Sequence, residues 1–247
     1  MSINGDVALE LVLSQGDEWQ CWRALRLSGE EPEEMPSIPQ QRADGAWLGS
    51  AGEPSAAATG TGLCHLALIG QSSSEAAGRA ADWLEQAVTP ARAWTDAPEQ
   101  VAIDLATPGG VEVWATAAAT CGLLAVGRDP GPRAIDLLRG EADLEGRVTG
   151  GPYPTFAAAA AYWLAEGPKT EMAEWGLRWA RENADAWGPQ EWSSALVFWG
   201  AAGIPAEHLS VDSFTDLLKE AAAPGGFSDL ELTLTTLELL DRFEARL

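Results

Sequence analysis

The chain repeats an Ala-rich apolar segment that ends near a glycine, and this repetition limits the folds open to it. Successive stops lie 41, 57, 40 and 36 residues apart. A glycine in this position is the expected left-handed stop after a helix. The pattern therefore predicts a series of helical hairpins. The five stops are Gly29, Gly70, Gly127, Gly167 and Gly203.

Helices of a second kind separate these segments. EAAGRAADWLEQAV, GPRAIDLLRG, KTEMAEWGLRWARENA and SVDSFTDLLKEAA are amphipathic, and INGDVALELVL and the weaker EEPEEMPSIPQQ count as two more. We expect the apolar segments to be buried and the amphipathic ones to lie outside them. This alternation predicts an all-α fold, an (α/α)6 toroid of about six hairpins that forms a single domain over residues 1–247. An open solenoid is the alternative architecture. The segment Trp94–Pro108 is predicted to be an extra loop within the domain.

Charge and cysteine content bound the partners and the compartment. The chain carries 37 Asp and Glu against 15 Lys and Arg, a net charge of −22, which argues against nucleic acid or an anionic membrane surface as partner. Three cysteines are too few and too scattered for a disulfide framework. We expect a cytoplasmic protein without a transmembrane segment, because no apolar stretch reaches about 18 residues and the N-terminus lacks a signal peptide's features. Its oligomeric state is left open.

The segment Gln41–Trp47, QRADGAW, resembles the Q-x-x-D-G-x-W signature of the prenyltransferase/squalene-cyclase repeat, and GGVEVWATAAATCGLLAVG resembles its glycine-led inner helix. The resemblance covers most of the chain as repeat architecture, although only this first copy keeps the signature. It implies the (α/α)6 barrel of terpene cyclases and prenyltransferase β subunits. It also implies a site in a central cavity, with the N-termini of the inner helices forming one rim.

The resemblance suggests two chemistries. Class II cyclases of the family use a D-x-D-D motif whose carboxylic acid protonates an alkene. The nearest acids here are Glu112, Asp229 with Glu231, and Glu191, and none belongs to a full motif. Each of them could instead cap its helix, since acids favour the first turn.

Zinc-dependent prenyl transfer needs converging Asp, Cys and His ligands, and the chain has only two histidines. The adjacent Cys64 and His65 point about 100° apart on a helix and cannot easily chelate one ion. We therefore expect neither a metal nor another cofactor. His65 is a candidate for the core or the cavity wall.

Twelve Trp residues are unusual for this length. Aromatic rings near the inner-helix starts would suit an apolar chain or a cation, or they would fill the space between helices. The candidates for substrate binding, with His65, are Trp19, Trp22, Trp114, Trp192, Tyr153, Phe156 and Phe227.

Three functions follow from these observations. The first is a divergent terpene-cyclase-like enzyme, an isomerase or lyase that cyclises an isoprenoid or other long apolar substrate. Its catalytic acid would be Asp229, Glu231, Glu112 or Glu191. The second is a protein that binds a lipid or an intermediate without chemistry. The third is an interaction module on the same toroid. A cavity of several hundred Å³ with carboxylates at its mouth would favour the first two.

Overall fold

The protein is all-α, as the sequence predicts. A computed structural model describes residues 5–30, 32, 34–91, 93–100, 109–208 and 229–243. Two very short strands, β1 (Trp47–Leu48) and β2 (Pro54–Ser55), pair antiparallel ahead of the third helix. The helices are α1 (Gly5–Gln15), α2 (Glu18–Leu27), α3 (Ala56–Leu68), α4 (Glu75–Ala87), α5 (Gly110–Ala125), α6 (Pro132–Gly140), α7 (Pro152–Glu166), α8 (Glu171–Glu182), α9 (Pro189–Ala201) and α10 (Leu230–Arg242).

The predicted glycine stops are confirmed. All five have positive φ, between 67° and 87°, which a glycine adopts without strain. Each follows the end of its helix by one or two residues, so the boundaries inferred from the sequence are correct at this end.

The two helix types are also confirmed. Along α5, residues 115–123 are buried without interruption, and residues 154–162 of α7 are buried likewise. The helices between them, α4, α6 and α8, bury one face and expose the other. The Ala-rich helices therefore form the interior of the protein.

Neighbouring inner helices pack in chain order. α3 packs on α5, α5 on α7, and α7 on α9, and α9 also contacts α3 and α10, which in turn contacts α2. Glycines allow the closest approach: a Cβ on Gly60 would lie 2.3 Å from the Ala118 carbonyl oxygen, and one on Gly122 would lie 2.4 Å from that of Gly60. Larger residues at these two positions would push α3 and α5 apart.

Two turns share one backbone pattern and mark a structural repeat. In Gln41–Trp47 and in Ala142–Val148, the first and last residues form an isolated antiparallel bridge. The last residue of each turn then donates its N–H to a threonine of the next inner helix, Trp47 to Thr59 at 2.9 Å and Val148 to Thr155 at 3.1 Å. The Q-x-x-D-G-x-W segment is therefore one of two equivalent junctions between a loop and an inner helix.

A glycine in each turn contacts the outer helix that follows. Gly45 has φ of 99°, and a Cβ there would lie 2.2 Å from the Arg79 carbonyl oxygen in α4. Gly146 has φ of 85°, and its Cβ would lie 2.5 Å from that of Trp175 in α8. Both the backbone conformation and the available space exclude a side chain at these positions.

One predicted outer element is wrong. The described part of EEPEEMPSIPQQ contains no helix, because Pro32, Pro36 and Pro39 lack the N–H groups a helix needs. SVDSFTDLLKEAA and Phe227 lie outside the described residues. Among the described helices, none has the length and apolar character required to cross a membrane.

Candidate ligand cavity

Arg23 of α2 is the centre of a buried ion network. Its side chain is 0% exposed, and its guanidinium forms a fork with Glu238 through Nε–Oε1 and Nη2–Oε2 contacts of 2.7 Å each. The third nitrogen, Nη1, donates to Glu231 Oε1 at 2.5 Å. Bidentate pairing of this kind is the strongest geometry open to an arginine and a carboxylate.

The acids and a hydroxyl come from one face of α10. Glu231, Thr235 and Glu238 are spaced i, i+4 and i+7, so their side chains share a face. Thr235 Oγ1 accepts from Arg23 Nη2 at 3.2 Å. Glu231 also accepts from Gln20 Nε2 at 3.1 Å, and the capping box that begins α2 holds Gln20 in place. The helix spacing and this cap together align α10 with α2.

His65 of α3 completes the network. Its Nε2 lies 2.8 Å from Glu238 Oε2 and 3.0 Å from Arg23 Nη2. The two Nη2 protons already have acceptors in Glu238 and Thr235. We therefore assign a proton to His65 Nε2, which donates to Glu238.

The network keeps both glutamates ionised. Burial alone would raise the pKa of Glu238, but the charges of Arg23 and His65 and their hydrogen bonds outweigh it and lower the pKa to about 2 from 4.5. Burial also opposes the charged form of Glu231, and again Arg23 followed by His65 lowers its pKa. Neither carboxyl group is therefore a ready proton donor near neutral pH.

A cavity of about 540 Å³ adjoins this network. Glu231, Thr235 and His65 line it, and Arg23 does not. Its walls are otherwise aromatic, aliphatic or uncharged polar, including Trp19, Ile38, Trp47, Leu48, Ala58, Gly62, Leu66, Trp114, Tyr153, Ser193, Val197 and Phe198.

Trp114 of α5 links the aromatic rings on one side of the cavity. Its ring centroid lies 6.3 Å from that of Tyr153 and 5.9 Å from that of Phe198, both in edge-to-face geometry. These distances fall within the range favoured by aromatic pairs. Trp19 lies beside the ion network, with Arg23 Cζ 5.5 Å from its ring centroid.

The predicted binding residues divide into two groups. Trp19, Trp114, Tyr153 and His65 line the cavity. The three others in the described chain do not line it, because Trp22 borders a second, smaller cavity and Phe156 and Trp192 are packed among other rings. Trp22 is stacked on Trp19, Phe156 lies between Trp187 and Trp199, and Trp192 contacts Trp187.

The predicted catalytic acids also separate. Glu231 lines the cavity, whereas Asp229 caps α10 by accepting from the N–H groups of Glu231 and Leu232. Glu191 accepts from the Gly188 N–H and from the Tyr153 hydroxyl, so it also serves its helix start. Glu112 is exposed in the first turn of α5 and does not line the cavity.

Sequence reasoning missed Arg23, Glu238 and Thr235. The signal for the two α10 residues was present in LELTLTTLELLDRF, where polar residues recur at i, i+4 and i+7 within an apolar helix. Arg23 gave a weaker signal, a cation in a strongly acidic chain.

Within the described ranges, no group of three or more His, Cys, Asp or Glu side chains is placed to hold a metal ion. The side chains at the cavity are suited to hydrogen bonding and to apolar contact. No protein-family model and no curated protein matches this chain.

Proposed function

We propose that the chain is a ligand-binding protein, built as an α/α toroid, that holds an apolar small molecule in the cavity beside Glu231. The toroid is supported by the contacts of α9 with both α7 and α3 and by those of α10 with α9 and α2. The hairpin repeat and the two equivalent turns agree with it.

The observation that carries the proposal is the composition of the cavity wall. A volume of about 540 Å³ lies within the range of small-molecule sites. Aromatic and aliphatic side chains form much of the wall, and a few polar groups are concentrated at Glu231, His65 and Thr235. This arrangement is typical of a site that binds an apolar body and orients one polar end.

The ligand class follows from the charge of the wall. Among the described residues that line the cavity, none is a lysine or an arginine. A phosphate or diphosphate group would therefore find no cation to bind, and it would face Glu231. An unphosphorylated isoprenoid or another apolar molecule suits the wall better.

A reducing, cytoplasmic location is part of the proposal. Cys64 and Cys121 are buried free thiols whose sulfur atoms lie 3.6 Å apart between α3 and α5. Unlinked thiols at this distance are in keeping with a reducing compartment.

Acid-initiated cyclisation is the second candidate, because Glu231 is a carboxylate on an aromatic cavity wall. The lowered pKa of Glu231 opposes it, since the reaction needs a protonated acid. If a candidate isoprenoid substrate is turned over, Glu231→Gln will abolish turnover while leaving substrate affinity intact. Equal turnover in both proteins would remove Glu231 from the chemistry.

The binding function is tested by filling the cavity. Ala58 lines it from α3 and is half-buried, so Ala58→Phe places a ring inside. The matched control is Ala87→Phe at the exposed end of α4. We expect phenylbutanol to bind the wild type and the control with a Kd on the order of 100 µM by isothermal titration calorimetry. Ala58→Phe should show no binding while its melting temperature is maintained. Equal binding by all three proteins would contradict the proposal.

A further inference from the structure

We propose that the polar end of the ligand is a cationic amine, bound at Glu231 and enclosed by the aromatic rings of the cavity. This inference rests on the proposed function and names its ligand class.

The charges of the network are not balanced. Arg23 contributes one positive charge, and Glu231 and Glu238 contribute two negative charges. These three side chains therefore sum to −1. Glu238 is 4% exposed and uses both oxygens in the fork with Arg23. The uncompensated charge is therefore accessible at Glu231 rather than at Glu238.

Glu231 keeps room for another partner. Its side chain is 43% exposed, and Arg23 and Gln20 each use one of its oxygens. A carboxylate offers about four acceptor positions. Because Glu231 also lines the cavity, a ligand cation can contact its carboxylate without breaking the pair with Arg23.

The neighbouring groups favour a donor or a cation over an anion. Arg23 is 0% exposed, so its positive charge offers no contact to a ligand. His65 lines the cavity at 18% exposure, and its Nε2 is engaged by Glu238 and Arg23. Among the described residues that line the cavity, Glu231 carries the one carboxylate and none is a lysine or an arginine.

Aromatic rings provide the second element of cation recognition. Trp47, Trp114 and Tyr153 line the same cavity as Glu231. The face of an indole attracts ammonium groups, and desolvation strengthens the attraction. A substituted ammonium group with an apolar chain would use both features, the carboxylate for its charge and the rings for its alkyl groups. The net charge of −22 also raises the local concentration of cations around the protein.

The test uses three probes that share one apolar body and differ in charge: phenylbutyltrimethylammonium, phenylbutanol and phenylbutyrate. We expect the wild-type chain to bind the ammonium probe about tenfold more tightly than the alcohol, and the alcohol more tightly than the carboxylate. Glu231→Gln should reduce the ammonium affinity to that of the alcohol and should change the alcohol affinity far less. Glu112→Gln, which removes an exposed acid away from the cavity, should preserve the order of the three affinities.

Each outcome distinguishes the inference from the function on which it rests. Equal affinity for the alcohol and the ammonium probe, or an ammonium preference that survives in Glu231→Gln, would overturn the inference and leave the binding function intact. Failure of all three probes to bind would overturn both. Preference for the carboxylate would show that the cavity recognises anions and would contradict the charge argument. Glu231→Asp, which retains the charge, serves as a folding control and should keep a preference for the ammonium probe.

Discussion

The charged wall and the aromatic block of this protein use buried side chains in opposite ways. The charged wall is the ion network formed by Arg23, His65, Glu231 and Glu238, which joins α2, α3 and α10. The aromatic block consists of Phe156, Trp187, Trp192 and Trp199 and fills the space between α7 and α9, with ring centroids 4.6–5.6 Å apart. The aromatic block buries its rings against one another, whereas the charged wall exposes the Glu231 carboxylate to the ligand cavity.

The two regions contribute differently to the stability of the fold and to the selection of a ligand. Aromatic packing tolerates many apolar neighbours and gains stability from the area it buries. A buried ion network adds little net stability when complete, yet breaking it is costly. We therefore assign stability mainly to the block and ligand selection to the wall.

The largest effect is expected in the block. Trp199 is 1% exposed, and its indole N–H donates to the Phe156 carbonyl oxygen at 3.2 Å. Trp199→Ala should lower the free energy of unfolding by about 4 kcal/mol, because it leaves a cavity that the helices cannot close. Urea denaturation of the wild type and the variant measures this loss in the free energy of unfolding. Trp114→Ala, at a ring that already borders a cavity, should cost less than half as much; equal losses would erase the distinction between block and cavity.

Breaking the wall should cost slightly less. Arg23→Met leaves Glu238 buried without its fork partner, and we expect a loss of about 3 kcal/mol in urea denaturation. Adding Glu238→Leu should recover part of that loss, since the unpaired buried charge is then absent. A double variant less stable than Arg23→Met would mean that the network itself stabilises the fold.

The wall should also respond to pH. The folded-state pKa of Glu238, about 2, lies below its ordinary 4.5. Its ionised form therefore stabilises the fold fully above about pH 4.5, and this contribution is lost as the pH falls towards 2. The stability difference between wild type and Glu238→Gln should shrink between about pH 6 and about pH 3 when urea denaturation is repeated across that range. A constant difference would exclude Glu238 as the titrating group; Glu112→Gln provides the baseline.

The smallest effect is expected at a surface ion pair. Arg128 contacts Asp82 and Glu85 with its side chain 39% exposed. Arg128→Ala should change stability by no more than about 1 kcal/mol, because solvent screens exposed pairs. A loss as large as that of Arg23→Met would show that burial does not distinguish the two arginines.

Much of the fold could be predicted from the sequence, because glycine stops and helix periodicity are local signals. Gly70 and Gly127 end α3 and α5 as expected. The predicted outer element at EEPEEMPSIPQQ is wrong because its three prolines lack the N–H groups that a helix needs.

The site was less accessible to sequence reasoning. Periodicity cannot distinguish Trp114, which faces the cavity, from Trp192, which is packed in the core, since both begin helices that are buried nearly all round. The fork between Arg23 and Glu238 joins residues 215 positions apart, and no local pattern encodes that contact. The stripe of Glu231, Thr235 and Glu238 was the one readable signal.

The most direct test of a cation-binding cavity is the position of a bound probe. A crystal of the wild-type protein soaked with bromophenylbutyltrimethylammonium would locate the bromine by anomalous scattering. We predict the ammonium group within contact distance of the Glu231 carboxylate and the bromine among Trp114, Tyr153 and Phe198. A bromine peak outside the cavity, or an ammonium group directed away from Glu231, would contradict this account.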